Sequence, residues 1–155
     1  MTTPRIEHIA ENIKTAVSAI TIANSFNQDL VGIRPKRRDF RDAAWGDGTV
    51  LISQREKVPS DEAVIGSATW WVQFALAAIV IDSDDAETSI DTRLNQVAAD
   101  IEKKMMVDVT RGGYAIDTRL DGAGPFISDD GSISGVMVMV SVLYRTKIED
   151  PYTGI

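Results

Sequence analysis

His8 is the only histidine in this 155-residue chain, and there is no cysteine. Zinc sites that use histidine draw on two or three such ligands, so none can be assembled here. Without cysteine there is also no thiolate nucleophile, no cysteine-type zinc site and no disulfide. His8 falls between apolar stripe positions of a first helix, which makes it a surface or boundary residue. The acidic run Asp82, Asp84, Asp85, Glu87 and Asp91 invites a calcium reading. Laid on the EF-hand loop from Asp82, the sixth position is Glu87 where glycine is needed, and the twelfth is Arg93 where glutamate is needed. A solvated turn ahead of a helix, whose dipole favours carboxylates at its start, explains the run better. The string GSISG at Gly131 puts Ile133 where a nucleophile would stand, and no phosphate-cradling glycine motif occurs. Carboxylate pairs are expected by chance in an acidic chain, and none stands out as an acid–base couple. The expectation is a protein that is not an enzyme and carries no cofactor or metal.

Binding features are sharper. Arg34, Lys36, Arg37, Arg38 and Arg41 form a basic cluster with Phe40 and Trp45 close by. It reads either as a solvated loop or as an electrostatic contact, since clustered arginines fork onto carboxylates or phosphates. The net charge is −7: residues 1–58 hold nine Lys/Arg against seven Asp/Glu, residues 59–155 seven against sixteen. An acidic body repels nucleic acid. The favoured partner of the basic cluster is therefore an acidic surface, such as another copy of this chain, with direct DNA contact a weaker option. The other candidate is the C-terminal end. Tyr144 and Arg145 close a strand, and Asp150, Pro151 and Tyr152 make a stiff turn with an aromatic on an arm over 146–155. Tyr152 can fold back on its own domain or anchor a neighbouring subunit.

These residues need elements to position them. Thr3 and Pro4 suit the start of a helix, and Ile6, Ile9, Ile13, Val17 and Ile20 give it one apolar stripe. The stretch from Asn24 to Gly32 reads as its exit. A short strand follows around Thr49 to Gln54, then a loop from Lys57 to Gly66 marked by Pro59. From Thr69 to Ile81 a long strand places Trp70, Val72, Phe74, Leu76, Ala78 and Val80 on one buried face. Thr88 with Asp91 resembles a capping box for a second helix with Ile90, Leu94, Val97, Ile101 and Met105 on one side. Arg111 is followed by Gly112 and Gly113, read as a helix cap and turn. Strands from Gly113 to Leu120 and Ser134 to Arg145 complete the chain, with a Gly/Pro turn after Leu120 and a second turn at Asp129 to Gly131 between them. The last strand shows Val136, Val138, Val140, Val142 and Tyr144 on one face, and apolar Met137, Met139 and Leu143 on the other. The expected fold is a single α+β domain: a largely antiparallel sheet of four to five strands with two helices on one face. The longest apolar stretch, Trp70 to Ile81, is interrupted by Gln73 and too short to span a bilayer. The N-terminus lacks the regions of a signal peptide. No membrane partner is expected.

The order of these elements, with "WWVQF", "IEKKMMVD", "GGYAIDTRL" and the closing "VMVSVLYRTKIEDPYT", resembles the tail terminator family of long-tailed phages and the related tail-completion and neck proteins. The resemblance runs over nearly the whole chain, and the strand ending "YRT" followed by "DPY" is its most specific part. It implies a sheet flanked by helices and a six-membered ring that caps the tail tube, stops its elongation and offers the docking surface for the head connector. It implies a place in the virion neck, DNA passing through the lumen without sequence-specific binding, and no catalysis. Tyr144, Arg145, Asp150, Pro151 and Tyr152 would then contact a subunit or the tube, with the loop from Arg34 to Arg41 as a second contact. The alternatives are a head-completion connector or stopper, whose plug the basic loop would supply, and a small-ligand or enzymatic α+β domain.

Overall fold

A computed structural model describes residues 2–36, 45–62, 64–81, 87–129, 131 and 133–155. The first helix, α1, spans Arg5–Ser18 and buries Ile9, Ala10, Ile13 and Val17, the stripe that the periodicity predicts. Its N-cap is Pro4, and no side chain caps it, so Thr3 does not serve. A single turn of 3₁₀ helix at Ile22–Asn24 leads on, capped by Thr21. The stretch expected only to leave the helix then forms a strand, β1, at Val31–Ile33. Gly32 explains its position. A Cβ there would lie 2.7 Å from the Lys14 carbonyl oxygen, and its N–H donates to the Ser18 hydroxyl at 3.0 Å. Only glycine lets this strand press so closely on α1.

Four further strands and a second helix follow: β2 (Thr49–Pro59), β3 (Ser67–Ile79), α2 (Ile90–Val107), β4 (Asp117–Ile127) and β5 (Ser134–Lys147). The sheet order is β1-β2-β3-β5-β4. β1 runs parallel to β2 and every other neighbour is antiparallel, so the α+β sheet is mixed. β2 is five residues longer than the alternation suggests, because a bulge between Gln54 and Lys57 interrupts the pattern while pairing with β3 continues to Pro59. The backbone of β4 is likewise bulged, between Leu120 and Gly122. β3 and β5 pair without interruption from Ser67↔Lys147 to Ile79↔Gly135 and form the spine of the sheet.

Both helices lie on one face. Ile9, Ile13 and Val17 of α1 and Val97, Ile101 and Met105 of α2 join Val72, Phe74, Leu76, Val138, Val140 and Val142 in one buried cluster. The α2 cap is Ser89, whose hydroxyl accepts from the Thr92 N–H, in place of the capping box on Thr88. A charge also sits within this helix's buried side. Asp100 is buried and accepts from the N–H of Asn27, the Asn27 amide and the N–H of Gln28, at 2.8, 3.0 and 3.1 Å. It ties α2 to the segment that runs into β1. At the other end of α2, buried Arg111 donates to the carbonyls of Met105 and Asp108, satisfying acceptors that a helix terminus leaves free. Arg111, Gly112 and Gly113 all have positive φ, as the cap-and-turn reading of the glycines requires.

Candidate functional site

The sheet's second face carries no helix among the described residues. Near the start of β2 it is covered by a smaller cluster, in which Leu51, Ala77 and Ile79 pack with Ile33, Trp45, Phe126, Ile133 and Met137. Met137 and the Ile133 of GSISG are therefore partly buried against the chain itself. Further along this face the surface becomes polar. Asp121, turned out by the β4 bulge, accepts from the Gln73 amide at 3.0 Å and the Ser141 hydroxyl, and pairs with Arg119 at 3.1 Å. Burial alone would raise the Asp121 carboxyl, but the hydrogen bonds from Ser141, Gln73 and Arg119 outweigh it and hold it below the usual carboxylate range. The Arg119 guanidinium lies 4.2 Å from the Trp71 ring centre.

The terminal arm divides. Tyr144 is 2% exposed and lies on the helix-covered face with the β5 valines, and burial pushes its phenol up to about 12. It is a core residue, because strand alternation sends it inward. Arg145 points the other way but is occupied, donating to Thr69 at 3.0 Å and facing Glu62 at 3.7 Å. Beyond β5 the chain does not project; it turns back. Lys147 N–H donates to the Thr153 carbonyl, and Arg5 N–H to that of Pro151. Asp150 fixes the turn by accepting from Tyr152 N–H and the Thr153 hydroxyl, and Gly154 lies against the Arg5 guanidinium. Arg5 in turn donates to the carbonyls of Tyr114 and Gly113 at 2.8 and 3.0 Å, and His8 stacks on the Tyr114 ring at 4.5 Å. Of the five arm residues, Tyr152 offers an exposed side chain of aromatic type, and Pro151 is exposed beside it.

The basic cluster also divides. Arg34 is committed within the chain: its guanidinium forks onto Glu7 at 2.8 and 3.2 Å and reaches Glu11 at 2.9 Å. Those partners hold it firmly protonated, and the Arg34 hydrogen bond lowers the Glu11 carboxyl. Lys36 is exposed. Arg37, Arg38 and Arg41 lie outside the described residues, as do Asp82, Asp84 and Asp85 of the acidic run.

One exposed feature escaped the sequence reading. The turn joining β2 to β3 carries Val64 and Ile65, 45% and 102% exposed, and Ile148 just beyond β5 is 70% exposed. The Ile148 N–H donates to the Gly66 carbonyl at 3.1 Å, so the three side chains belong to one end of the sheet. Two shallow cavities are found among the described residues. One, about 230 Å³, lies between α1 and the end of α2 and is lined by Asn12, Thr15, Ala16, Lys104 and Val107. The other, about 310 Å³, lies between α2 and β4, against Leu94, Ala98, Pro125 and Val136. Among the described residues no three His, Asp or Glu side chains are grouped to hold a metal, and no helix is long and apolar enough to cross a membrane. Comparison of the sequence with protein-family models and with curated proteins gives no match.

Proposed function

We propose that this chain is a structural subunit of a long-tailed phage neck: a tail terminator that forms a ring on the tail tube, ends tube growth and presents the surface on which the head docks. The observation that carries the reading is the one-sided layering. Both helices pack on one face of the sheet, and along the other face Trp71, Gln73 and Met139 stand half-buried with Arg119 beside them. β4 closes the sheet as an edge strand eleven residues long. An edge strand, and a sheet face that carries no helix among the described residues, are surfaces on which chains assemble. The arrangement agrees with the sheet flanked by helices that the sequence resemblance implies.

Electron microscopy of lysates from a phage lacking this gene tests the proposal. Tails of uncontrolled length beside tailless, DNA-filled heads are the expected result. Tails of normal length beside heads that lose DNA would assign the chain to the connector or stopper instead, and intact particles would remove it from the neck altogether.

A further inference from the structure

We infer that the end of the sheet formed by residues 60–66 and 145–152 is a docking surface for a second copy of this chain, which offers its basic 34–41 stretch. The inference rests on the ring-forming reading and adds the contact that builds the ring. The surface is apolar at its centre: Ile65 is wholly exposed beside exposed Val64, and exposed Ile148 is joined by a backbone hydrogen bond to Gly66. It is also held in place. Val64 accepts from both the N–H and the hydroxyl of Ser67, and Ile148 is tied to Gly66. An apolar tip fixed before binding loses little conformational freedom on docking.

Its rim selects the partner. Asp61, Glu62, Glu149 and Asp150 lie in the same two segments as Arg145 and Lys147, and Arg145 and Glu62 face one another at 3.7 Å, which leaves Asp61, Glu149 and Asp150 against Lys147. The complementary surface must therefore be cationic with an apolar or aromatic element. The stretch from Arg34 to Arg41 has five basic residues against one acid, with Phe40 among them. Arg34 is engaged by Glu7 and Glu11 and Lys36 is exposed; Arg37, Arg38 and Arg41 add to the positive charge of the same stretch. Two different patches that fit one another make a head-to-tail contact, the kind that closes into rings.

Because the native chain lacks cysteine, single variants Ile65→Cys and Lys36→Cys can be mixed and oxidised. The expected result is a cross-linked dimer from the mixture, formed faster than from either variant alone. In parallel, sedimentation velocity compares the native chain with Ile65→Asp and Lys36→Glu, with circular dichroism to show that each is folded. Each substitution is expected to weaken self-association about tenfold or more, and raised salt is expected to weaken the native contact. Rings that form unchanged from Ile65→Asp, with no preferred cross-link, overturn the docking surface and leave the terminator reading standing. A native chain that stays monomeric at every concentration, while Ile65→Asp fails to bind isolated tail tubes, overturns it in favour of a tube contact.

Discussion

Replacing Asp100 with alanine tests the packing on which the rest of the molecule depends. The carboxylate is 3% exposed and accepts three hydrogen bonds, two of them from the backbone N–H groups of Asn27 and Gln28. A hydrogen bond to a charged group contributes about 1.5–3 kcal/mol, and each buried donor left without an acceptor costs about 1–3 kcal/mol. The donors lie in a partly buried turn where water can replace one of them, so the contributions do not simply add. A loss of about 3–4 kcal/mol is expected, in the range found when one partner of a buried charged contact is removed. For a chain of this size that lowers the melting temperature by roughly 6–16 °C. Asp100→Asn keeps the shape but turns an amide toward N–H donors, and it should lose at least half as much. Urea unfolding gives the values, with exposed Asp91→Ala as a control expected to stay within about 0.5 kcal/mol. Hydrogen exchange should show the Asn27 and Gln28 amides losing protection ahead of the β3–β5 ladder. A loss below about 1 kcal/mol for Asp100→Ala, with those amides still protected, would refute the assignment of Asp100 as the tie between α2 and the approach to β1.

Two shorter predictions follow. A Cβ at Gly135 would fall on the Ala78 carbonyl of the neighbouring strand, so Gly135→Ala should cost about 1–3 kcal/mol or more; an unchanged urea midpoint would contradict the β3–β5 register. Asp121 is held below its unfolded pKa, so its contribution is present above about pH 4 and is lost as pH falls through the lower folded value. Asp121→Asn should flatten the acid side of the stability profile measured between pH 2 and 6, and a profile of the same steepness would show that the Ser141, Gln73 and Arg119 contacts do not form in solution.

The parts of the fold legible in the sequence are those whose periodicity is set by burial on one face. The isoleucine stripe of α1, the even positions of β3 and the valines of β5 all fall where the alternation puts them. The parts that were not legible are held by their neighbours. β1 is three residues long, and its place depends on Gly32 fitting against a carbonyl of α1, a contact across the fold that no local pattern signals. The second half of β2, with Arg55, Glu56 and Lys57, has the composition of a loop; its strand conformation comes from pairing with Trp70 to Val72. Lys57 spreads over the Trp70 ring at 4.3 Å, so a residue that looks solvated covers the core's edge. β4 reads as a turn at Gly122, Gly124 and Pro125, yet it is carried as an edge strand by the apolar ladder of β5. Asp100 left a signal that could have been used: a carboxylate between Val97 and Ile101 on an apolar helix face must find donors.

The candidate site is less legible because residues adjacent in sequence are not adjacent in space. Tyr144 and Arg145 are neighbours in the chain, but strand geometry sends them to opposite faces, and the alternation that groups Tyr144 with Val136 to Val142 already placed it inside. Asp150 and Pro151 look like an outgoing arm, yet their polar groups close a turn that docks on Arg5, which satisfies backbone that would otherwise stand in water. The apolar tip comes from two places more than eighty residues apart, Ile65 in the β2–β3 turn and Ile148 after β5, brought together by the hydrogen bond from Ile148 to Gly66. Neither is remarkable alone, since single exposed apolar residues are common on protein surfaces. Together, on a turn already fixed by Ser67 and rimmed by carboxylates, they make a surface with one charge preference. On the docking proposal above, the arm would act through where it is tied down: by folding back it holds Ile148 at the same end of the sheet as Ile65.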